Sequence, residues 1–251
     1  MKRSRGGCIA WLAAAALVAG CAKGPPEDPW QSWNRPMFRV NEAADRWVLR
    51  PVALGWTFVT FEEMRLAVRR FFFNLAFPSR FVSSLGQGEG QKAADEAGRF
   101  LLNSTVGIAG LFDPATHVGF PRHDEDFGQM FGRWGVPPGP YLVLPGLGPS
   151  SPRDAVGSAL DLLTNPLLWL DVPIYGLGAL NVVNSRALAD DEIERARATA
   201  LDFYVFVRDA YVQNRAAAVA DQEQRSPARG GGPYDDLYDL PDDLYELPDE
   251  E

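Results

Sequence analysis

The sequence predicts an all-α fold: amphipathic helices with one short Gly/Pro-rich hairpin. Apolar residues recur at three- and four-residue steps over most of residues 30–226, which is the spacing of one face of a helix. Strand patterns are nearly absent, and the best of them is the short run over residues 141–144. Prolines interrupt the long apolar stretch over residues 162–185, so its pieces favour helices that dip into one membrane leaflet over a helix that crosses.

The N-terminal segment has the layout of a secretion signal. Lys2, Arg3 and Arg5 precede an uncharged apolar run over residues 9–20. This run is 12 residues long, whereas a helix that spans a bilayer needs about 20. Its Leu-Val-Ala-Gly end before Cys21 resembles the lipobox of bacterial lipoproteins, in which the cysteine is acylated and becomes the new N-terminus. We therefore predict cleavage before Cys21 and a lipid anchor on it, the alternative being an ordinary signal peptide.

Cysteine usage agrees with this interpretation. Cys8 is the other of the two cysteines and lies in the discarded segment, so the mature chain is expected to have no disulfide and to depend on burial. Several acyl chains give lasting attachment because each buried methylene contributes about 0.8 kcal/mol. Ala22, rather than an aspartate, follows the cysteine. This resembles the sorting pattern of enterobacterial lipoproteins and predicts a lipid-anchored, periplasm-facing protein of the outer membrane.

Negative charge is concentrated at the C-terminus. Without the three signal-peptide cations the chain has 21 Lys and Arg residues against 33 Asp and Glu, and nine of the acidic residues lie in residues 234–251, where no basic residue occurs. The nearly neutral remainder argues against nucleic acid as a partner. The tail repeats Asp-Asp-Leu-Tyr-Asp/Glu-Leu-Pro at residues 235–241 and 242–248. It is predicted to be disordered, either as a solvated tail or as a docking strip for a basic groove on a partner.

The predicted organisation has four segments. They are a signal peptide over residues 1–20, a lipidated N-terminus and linker over 21–29, a helical domain over 30–226 and a flexible acidic tail over 227–251.

Individual helices follow from apolar stripes and from their start signals. The first has Met37, Val40, Ala44 and Trp47 on one stripe. Residues 60–63, Thr-Phe-Glu-Glu, form a capping-box pattern that opens the second. Further helices are predicted over residues 92–104, over 154–163 with Ser151 as cap and Pro152 at the first position, and over 191–222 as one long final helix.

The apolar stretch over residues 162–185 carries one charge, Asp171. Asn165-Pro166 and Val172-Pro173 break it into pieces of about a dozen residues or fewer, which reach about half of a bilayer. The mature chain also keeps six of the seven tryptophans, a residue favoured at the membrane–water boundary. Together with the anchor, these features favour residence in one leaflet.

Three sequence motifs follow one another along the chain. They are residues 28–38 (Asp-Pro-Trp-Gln-Ser-Trp-Asn-Arg-Pro-Met-Phe) with Asn41 and Arg50-Pro-Val-Ala, residues 99–107 (Arg-Phe-Leu-Leu-Asn-Ser-Thr-Val-Gly), and the Gly/Pro-rich signature within residues 127–154. These blocks resemble the MlaA (VacJ) family of outer-membrane lipoproteins over most of residues 28–215. The acidic tail lies outside the resemblance.

The resemblance implies a ring of helices in the inner leaflet of the outer membrane, with a polar-lined channel through its middle. It implies removal of mislocalised phospholipid from the outer leaflet, transfer to a soluble periplasmic carrier, association with a trimeric porin, and maintenance of lipid asymmetry. The runner-up function is a porin-associated scaffold lipoprotein that transports nothing.

Two groups of residues are candidates for lining or gating the channel. Asn34, Asn41 and Asp45 lie on the early helix, and Trp134, Val136, Pro137, Pro138, Pro140 and Tyr141 lie in the Gly/Pro-rich block. The prolines predict a stiff hairpin or turn, which in the family borders the channel and influences its opening. The alternatives are a plain connector between helices for the block, and capping or hydrogen bonding for the early-helix residues.

Catalysis finds little support in the sequence. The only histidines are His117 and His123, and there is neither a Gly-x-Ser-x-Gly elbow nor a glycine-rich phosphate loop. Residues 123–126, His-Asp-Glu-Asp, are better explained as a solvated acidic turn or helix start than as a metal cluster. We expect no enzymatic activity, no metal and no cofactor, while a lipid hydrolase remains a third hypothesis.

Overall fold

The computed structural model describes residues 24–169 and 174–220. This part of the chain is mostly helical and has one two-stranded hairpin, so the predicted all-α class with a short Gly/Pro-rich hairpin is confirmed. The predicted signal peptide, Cys21, Asp171, Val172-Pro173 and the acidic tail lie outside the described residues.

The elements follow the chain in a simple order. The α-helices are α1 (Gln31–Ala44), α2 (Arg50–Val59), α3 (Glu62–Leu75), α4 (Phe77–Gly86), α5 (Gly90–Thr105), α6 (Pro114–His117), α7 (Phe127–Arg133), α8 (Pro152–Thr164), α9 (Ile174–Leu188), α10 (Asp190–Thr199) and α11 (Phe203–Ala220). A π-helical turn, Asp45–Leu49, joins α1 to α2, and a 3₁₀ turn, Pro166–Leu168, follows α8. The strands β1 (Leu142–Leu144) and β2 (Gly148–Ser150) pair antiparallel between α7 and α8.

The capping box predicted at residues 60–63 is wrong. Thr60 ends α2 instead, because its hydroxyl donates to the Trp56 carbonyl oxygen at 2.6 Å, and α3 begins at Glu62 without a side-chain cap. Arg65 donates to the Thr60 carbonyl oxygen at 2.6 Å, so a cation satisfies the carbonyl end of α2. In contrast, the predicted cap of α8 is confirmed: the Ser151 hydroxyl accepts from the Asp154 amide at 3.2 Å.

The single long final helix predicted over residues 191–222 is also wrong. The structure has two helices, α10 and α11, separated at Ala200, whose ψ of 131° is extended. Asp202 holds this break open, since its carboxylate accepts from the Val205 amide at 3.2 Å and from Arg35 at 2.9 Å. Apolar periodicity continues across the break and hides it from a pattern search.

The strand predicted at residues 141–144 is confirmed as β1, whereas its partner β2 was not predicted. The turn lies at residues 145–147, where Gly146 has a φ of 73° and Gly148 follows with a φ of 85°. Glycine adopts this left-handed region without a steric penalty. The prolines over residues 137–140 form an irregular segment that leads into β1, so they are the arm of the hairpin rather than its turn.

Burial in the described residues is inverted relative to a water-soluble protein. Buried residues are mostly polar or charged, with Glu96 and Asn184 fully enclosed, while large apolar side chains face outward. Phe58 is 91% exposed, Trp47 78% and Trp169 74%, although apolar patches of this kind are rare on soluble monomers. No described helix combines the length and hydropathy required to cross a membrane.

Candidate functional site

The hairpin is fastened to α1 by Asn34. Its side-chain amide donates to the Tyr141 carbonyl oxygen at 2.9 Å, and its Oδ1 accepts from the Val143 amide at 2.9 Å. Nδ2 also donates to the Asp28 carboxylate at 2.8 Å. Asn34 is fully buried, so its observed role is that of an anchor for β1.

Asn41 repeats this arrangement two helical turns later on the same face of α1. Its Nδ2 donates to the Leu144 carbonyl oxygen at 2.8 Å, and its Oδ1 accepts from the Gly146 amide at 2.9 Å. Each asparagine therefore pairs with one carbonyl and one amide of the hairpin, as a neighbouring strand would. Asn41 holds the turn, and Asn34 holds the strand that enters it.

A cavity of about 680 Å³ lies beside the turn, and we call it the tip cavity. Most of its lining is apolar and comes from α1, the π-helical turn, α2 and α9–α11. Its lining residues are Phe38, Asn41, Glu42, Ala44, Asp45, Val48, Leu49, Val52, Gly146, Leu147, Gly148, Pro149, Val183, Ile193, Arg197, Phe203 and Val207. The polar edge comes from Asn41, Glu42, Asp45 and Arg197.

Ion pairs order this polar edge. Arg197 donates to Glu42 at 2.8 Å and to Asp45 at 2.7 Å, and Arg186 donates to Asp45 at 2.6 Å. Burial alone would raise the pKa of Asp45, but hydrogen bonds from Arg186 and Arg197 outweigh it and lower the pKa below its usual value. Asp45 is therefore ionised at neutral pH, and its charge is matched by adjacent cations.

The lining of the tip cavity suits an amphiphilic ligand. Polar groups on one edge can bind a head group, and the valine, leucine and phenylalanine side chains can contact hydrocarbon. Nothing in this arrangement resembles a nucleophile beside a general base. Among the described residues, no group of three or more His, Cys, Asp or Glu side chains is placed to hold a metal ion.

A second cavity, of about 720 Å³, lies at the other end of the hairpin, and we call it the base cavity. Its lining residues are Pro26, Glu27, Pro29, Pro138, Gly139, Pro140, Tyr141, Ser151, Arg153, Asp154, Tyr211, Val212, Arg215, Ala216, Val219 and Ala220. The hairpin and its proline arm thus contribute to the walls of both cavities.

An ionic cluster at the base cavity ties α11 to α7 and α8. Arg215 donates to Asp126 at 2.6 Å and to Asp154 at 3.0 Å, and the Tyr211 hydroxyl donates to Asp154 at 2.5 Å. Burial would raise the pKa of Asp154, but hydrogen bonds from Arg153, Arg215 and Tyr211 hold the pKa well below its usual value. This cluster stabilises the helices that carry the proline arm.

The structure divides the predicted site residues among several places. Asn41 and Asp45 line the tip cavity, and Pro138, Pro140 and Tyr141 line the base cavity. Asn34 is buried behind β1, whereas Trp134, Val136 and Pro137 are exposed and line neither cavity. A channel-lining or gating role stays a prediction for all nine residues.

Sequence reasoning missed the two arginines that pair with Asp45 at the tip cavity, of which Arg197 lines it. Arg197 was assigned to an undivided helix, with no signal that it pairs with Glu42 and Asp45. Arg186 offered a signal, because it is the one charged residue of α9. A lone cation in an apolar helix indicates a partner elsewhere in the fold.

The acidic run over residues 123–126 starts a helix, as one of its interpretations predicted. The Asp126 side chain accepts from the Gln129 amide at 2.8 Å and caps α7. The run is less solvated than expected: Glu125 is buried against Lys92 at 2.7 Å, and His123 lies 3.0 Å from Asp95. Buried partners on α5 explain the difference.

The chain matches a known protein family over most of its length. The sequence profile of the family described as "MlaA lipoprotein" matches residues 26–218. An uncharacterized protein of Rickettsia felis is 35% identical over 195 residues, which are 76% of this chain and 78% of that protein. The chain is also similar to the intermembrane phospholipid transport system lipoprotein MlaA of Shigella flexneri, at 31% identity over 89% of this chain and 94% of the relative.

A solved structure gives the same result. The fold is similar to a chain from the structure reported as "Structural basis for maintenance of bacterial outer membrane lipid asymmetry", with a TM-score of 0.68 and 31% sequence identity. The similarity covers 76% of this chain and 98% of the other.

Proposed function

Because the chain belongs to the MlaA lipoprotein family, we propose that it is an outer-membrane lipoprotein that transports phospholipid and maintains the lipid asymmetry of that membrane. Its relatives carry the name of an intermembrane phospholipid transport system. The exposed apolar side chains support contact with hydrocarbon.

In this proposal the protein removes mislocalised phospholipid from the outer leaflet. The lipid enters a central amphipathic channel and passes to a soluble periplasmic carrier. The chain is held by acyl groups on Cys21, faces the periplasm and associates with a trimeric porin. No bond of the lipid is made or broken, so the protein acts as a conduit and not as an enzyme.

The observation that carries the proposal is the mixed lining of the tip cavity. A phospholipid head group that leaves water needs polar partners, because an unpaired polar group in hydrocarbon costs several kcal/mol. Asn41 and the Glu42–Arg197–Asp45 pairs offer such partners of both charge signs. The adjacent apolar wall accommodates the acyl chains.

A cavity-filling substitution tests this assignment. Val207→Trp on α11 should block the tip cavity, and cells that carry only this variant should accumulate outer-leaflet phospholipid as deletion cells do. Val156→Trp is the matched control, because Val156 is exposed on α8 and lines neither cavity. Full complementation by an abundant, folded Val207→Trp protein would remove the tip cavity from the lipid path.

The hairpin supplies a second test. Replacing Pro137, Pro138 and Pro140 by glycine adds backbone freedom to the arm and should change outer-leaflet phospholipid while protein abundance and porin association stay constant. Normal lipid asymmetry in this variant would reduce the arm to a connector.

Two experimental outcomes would favour an alternative function. Normal outer-leaflet phospholipid in deletion cells, with the porin still bound by the wild-type chain, would favour the scaffold alternative. Release of free fatty acid from labelled phospholipid by purified protein would favour a hydrolase.

A further inference from the structure

The first described residues lie beside the base cavity. The Gly24 amide donates to the Pro29 carbonyl oxygen at 3.2 Å. The Asp28 amide donates to the Pro25 carbonyl oxygen at 2.9 Å, so this part of the N-terminal linker is folded into a turn. Pro26 and Pro29 of the turn line the base cavity. The linker that precedes α1 therefore forms part of the wall of this cavity.

Asp28 fastens this turn to the body of the protein. Asp28 is fully buried, and its carboxylate accepts from the Asn34 side-chain amide at 2.8 Å and from the Tyr204 hydroxyl. These two partners lie on α1 and α11, so the linker is held by helices from both ends of the domain. The position of Gly24 is thereby fixed relative to the base cavity.

The cysteine of the predicted lipid anchor is close to this fixed point along the chain. Cys21 lies three residues before Gly24 and outside the described residues. Three residues of fully extended chain span at most about 11 Å. A short tether of this kind gives the attached group an effective concentration in the millimolar range at a nearby site. An acyl group on Cys21 is therefore within reach of the base cavity.

The wall of the base cavity is largely apolar. One part of it is a face of α11, on which Val212, Ala216 and Val219 follow one another at steps of four and three residues. The proline arm adds Pro138 and Pro140. Val212 is 49% exposed, so a ligand can reach this surface from outside. The volume of about 720 Å³ lies within the range of about 300–1,000 Å³ that is usual for ligand sites.

The charged residues of the base cavity favour an uncharged ligand. Arg153 lies 2.8 Å from Asp154, and Arg215 lies 2.6 Å from Asp126. Both arginines are thus paired with carboxylates, whereas the phosphate of a free phospholipid would bring a negative charge that needs a partner of its own. The acidic tail is disfavoured as well, because the lining has two basic and two acidic residues and no net charge to attract it. An acyl chain brings no charge.

We propose that one acyl chain of the lipid on Cys21 lies in the base cavity, while the remaining acyl chains stay in the membrane. The inference rests on the proposed lipidation of Cys21 and gives one part of that lipid a binding site within the protein. Because the acyl chain packs on both α11 and the proline arm, the anchor steadies the arm of the hairpin. It also fills the base cavity, which leaves the tip cavity to the transported phospholipid.

Site-specific photo-crosslinking tests the proposal on the full-length protein, purified from membranes and placed in lipid nanodiscs. The photoreactive residue p-benzoylphenylalanine, which bonds to C–H groups in contact with it, replaces Ala216. Mass spectrometry should then find the peptide of residue 216 joined to an acyl chain on Cys21. A second probe at the exposed Ala220, which also lines the cavity, covers the case in which the larger residue at 216 fills the cavity. The matched control is the same probe at the exposed Val156, which lines neither cavity, and it should not give this product.

A longer tether gives an independent test. Insertion of about ten Gly and Ser residues after Lys23 keeps Cys21 and Ala22 in place and lengthens the tether to Gly24 about fourfold. Effective concentration falls roughly as the −3/2 power of tether length, so the cross-linked fraction at residue 216 should fall by up to roughly ninefold. The same insertion after Pro233, between the described helices and the acidic repeats, leaves the tether unchanged and should retain the cross-link.

The intact mass of each protein separates this inference from the lipidation on which it rests. A mature chain without acyl groups would remove both. An acylated chain that gives no cross-link from either probe, or whose probes bond to nanodisc phospholipid instead, would overturn the inference alone. A cross-link to residues 221–251 would assign the cavity to the tail and overturn it too, as would a cross-link that stays unchanged when the tether is lengthened.

Discussion

Replacing each asparagine of the α1 face by alanine should separate the anchor of the hairpin from the clamp on its turn. Asn34→Ala removes three hydrogen bonds at a fully buried position. It leaves the Val143 amide and the Tyr141 carbonyl oxygen without these partners. A buried polar group that loses its partner costs about 1–3 kcal/mol, so we expect the free energy of unfolding to fall by about 3–5 kcal/mol.

Asn41→Ala removes two hydrogen bonds at a half-buried position. Water can replace both, so each contributes only about 0.5–1 kcal/mol, and we expect a loss of about 1–2 kcal/mol. The turn nevertheless loses its link to α1 at the rim of the tip cavity. Asn41→Ala should therefore change outer-leaflet phospholipid more than its small effect on stability would suggest.

The assay is unfolding of detergent-purified protein, monitored by circular dichroism, beside complementation of deletion cells. A loss of 1 kcal/mol lowers the melting temperature by about 2–4 °C in a domain of this size. Asn34→Ala should therefore lower it by roughly 6–20 °C and Asn41→Ala by roughly 2–8 °C. Wild-type stability in Asn34→Ala, or a larger loss in Asn41→Ala, would refute the assignment of anchor and clamp.

Three further predictions concern the anchor, the tail and acid stability. Cys21→Ala should leave uncleaved precursor or a soluble periplasmic product in fractionated cells, and normal lipid-modified protein would contradict the predicted lipidation. Deletion of residues 234–251 should leave melting temperature and membrane residence unchanged, because that segment lacks the apolar content to join a core; a large fall in melting temperature would show that it packs. The pKa of Asp154 is lowered on folding, so its contribution to stability is present above its ordinary pKa of about 4 and is lost as the pH falls below that value. Unfolding free energies at about pH 6 and pH 3 should thus differ less in Asp154→Asn than in wild type, and equal differences would contradict this.

Several features could be predicted from the sequence because they depend only on residues that are close together in the chain. Ser151 before Pro152 marks a helix start whatever surrounds it, because both residues act on the first turn alone. Asn34 and Asn41 share a face of α1 because seven residues are about two helical turns. The proline-rich arm and β1 were located for the same reason, since proline restricts its own backbone.

Other predictions from local sequence were wrong because a residue had a second possible partner. Thr60 could cap α3 or close α2, and contacts with Trp56 and Arg65 settled the choice for α2. Asp202 lies in the break between α10 and α11 and caps α11, and Arg35, far away in sequence, holds its carboxylate. Patterns in a short window do not contain these partners.

The sequence by itself predicts export and a lipid anchor, and it was sufficient to determine the helical class, the position of the hairpin and the family. Only the tertiary structure decided that Glu42 and Asp45 pair with Arg197 across more than 150 residues of chain and, with Asn41, form the polar edge of the tip cavity. It also turned Asn34 inward to hold β1 and placed the guanidinium groups of Arg80 and Arg122 over the Phe73 ring. The physical reason is range: helix caps, turns and signal peptides depend on bonded neighbours, whereas cavities and ion pairs depend on packing between distant segments.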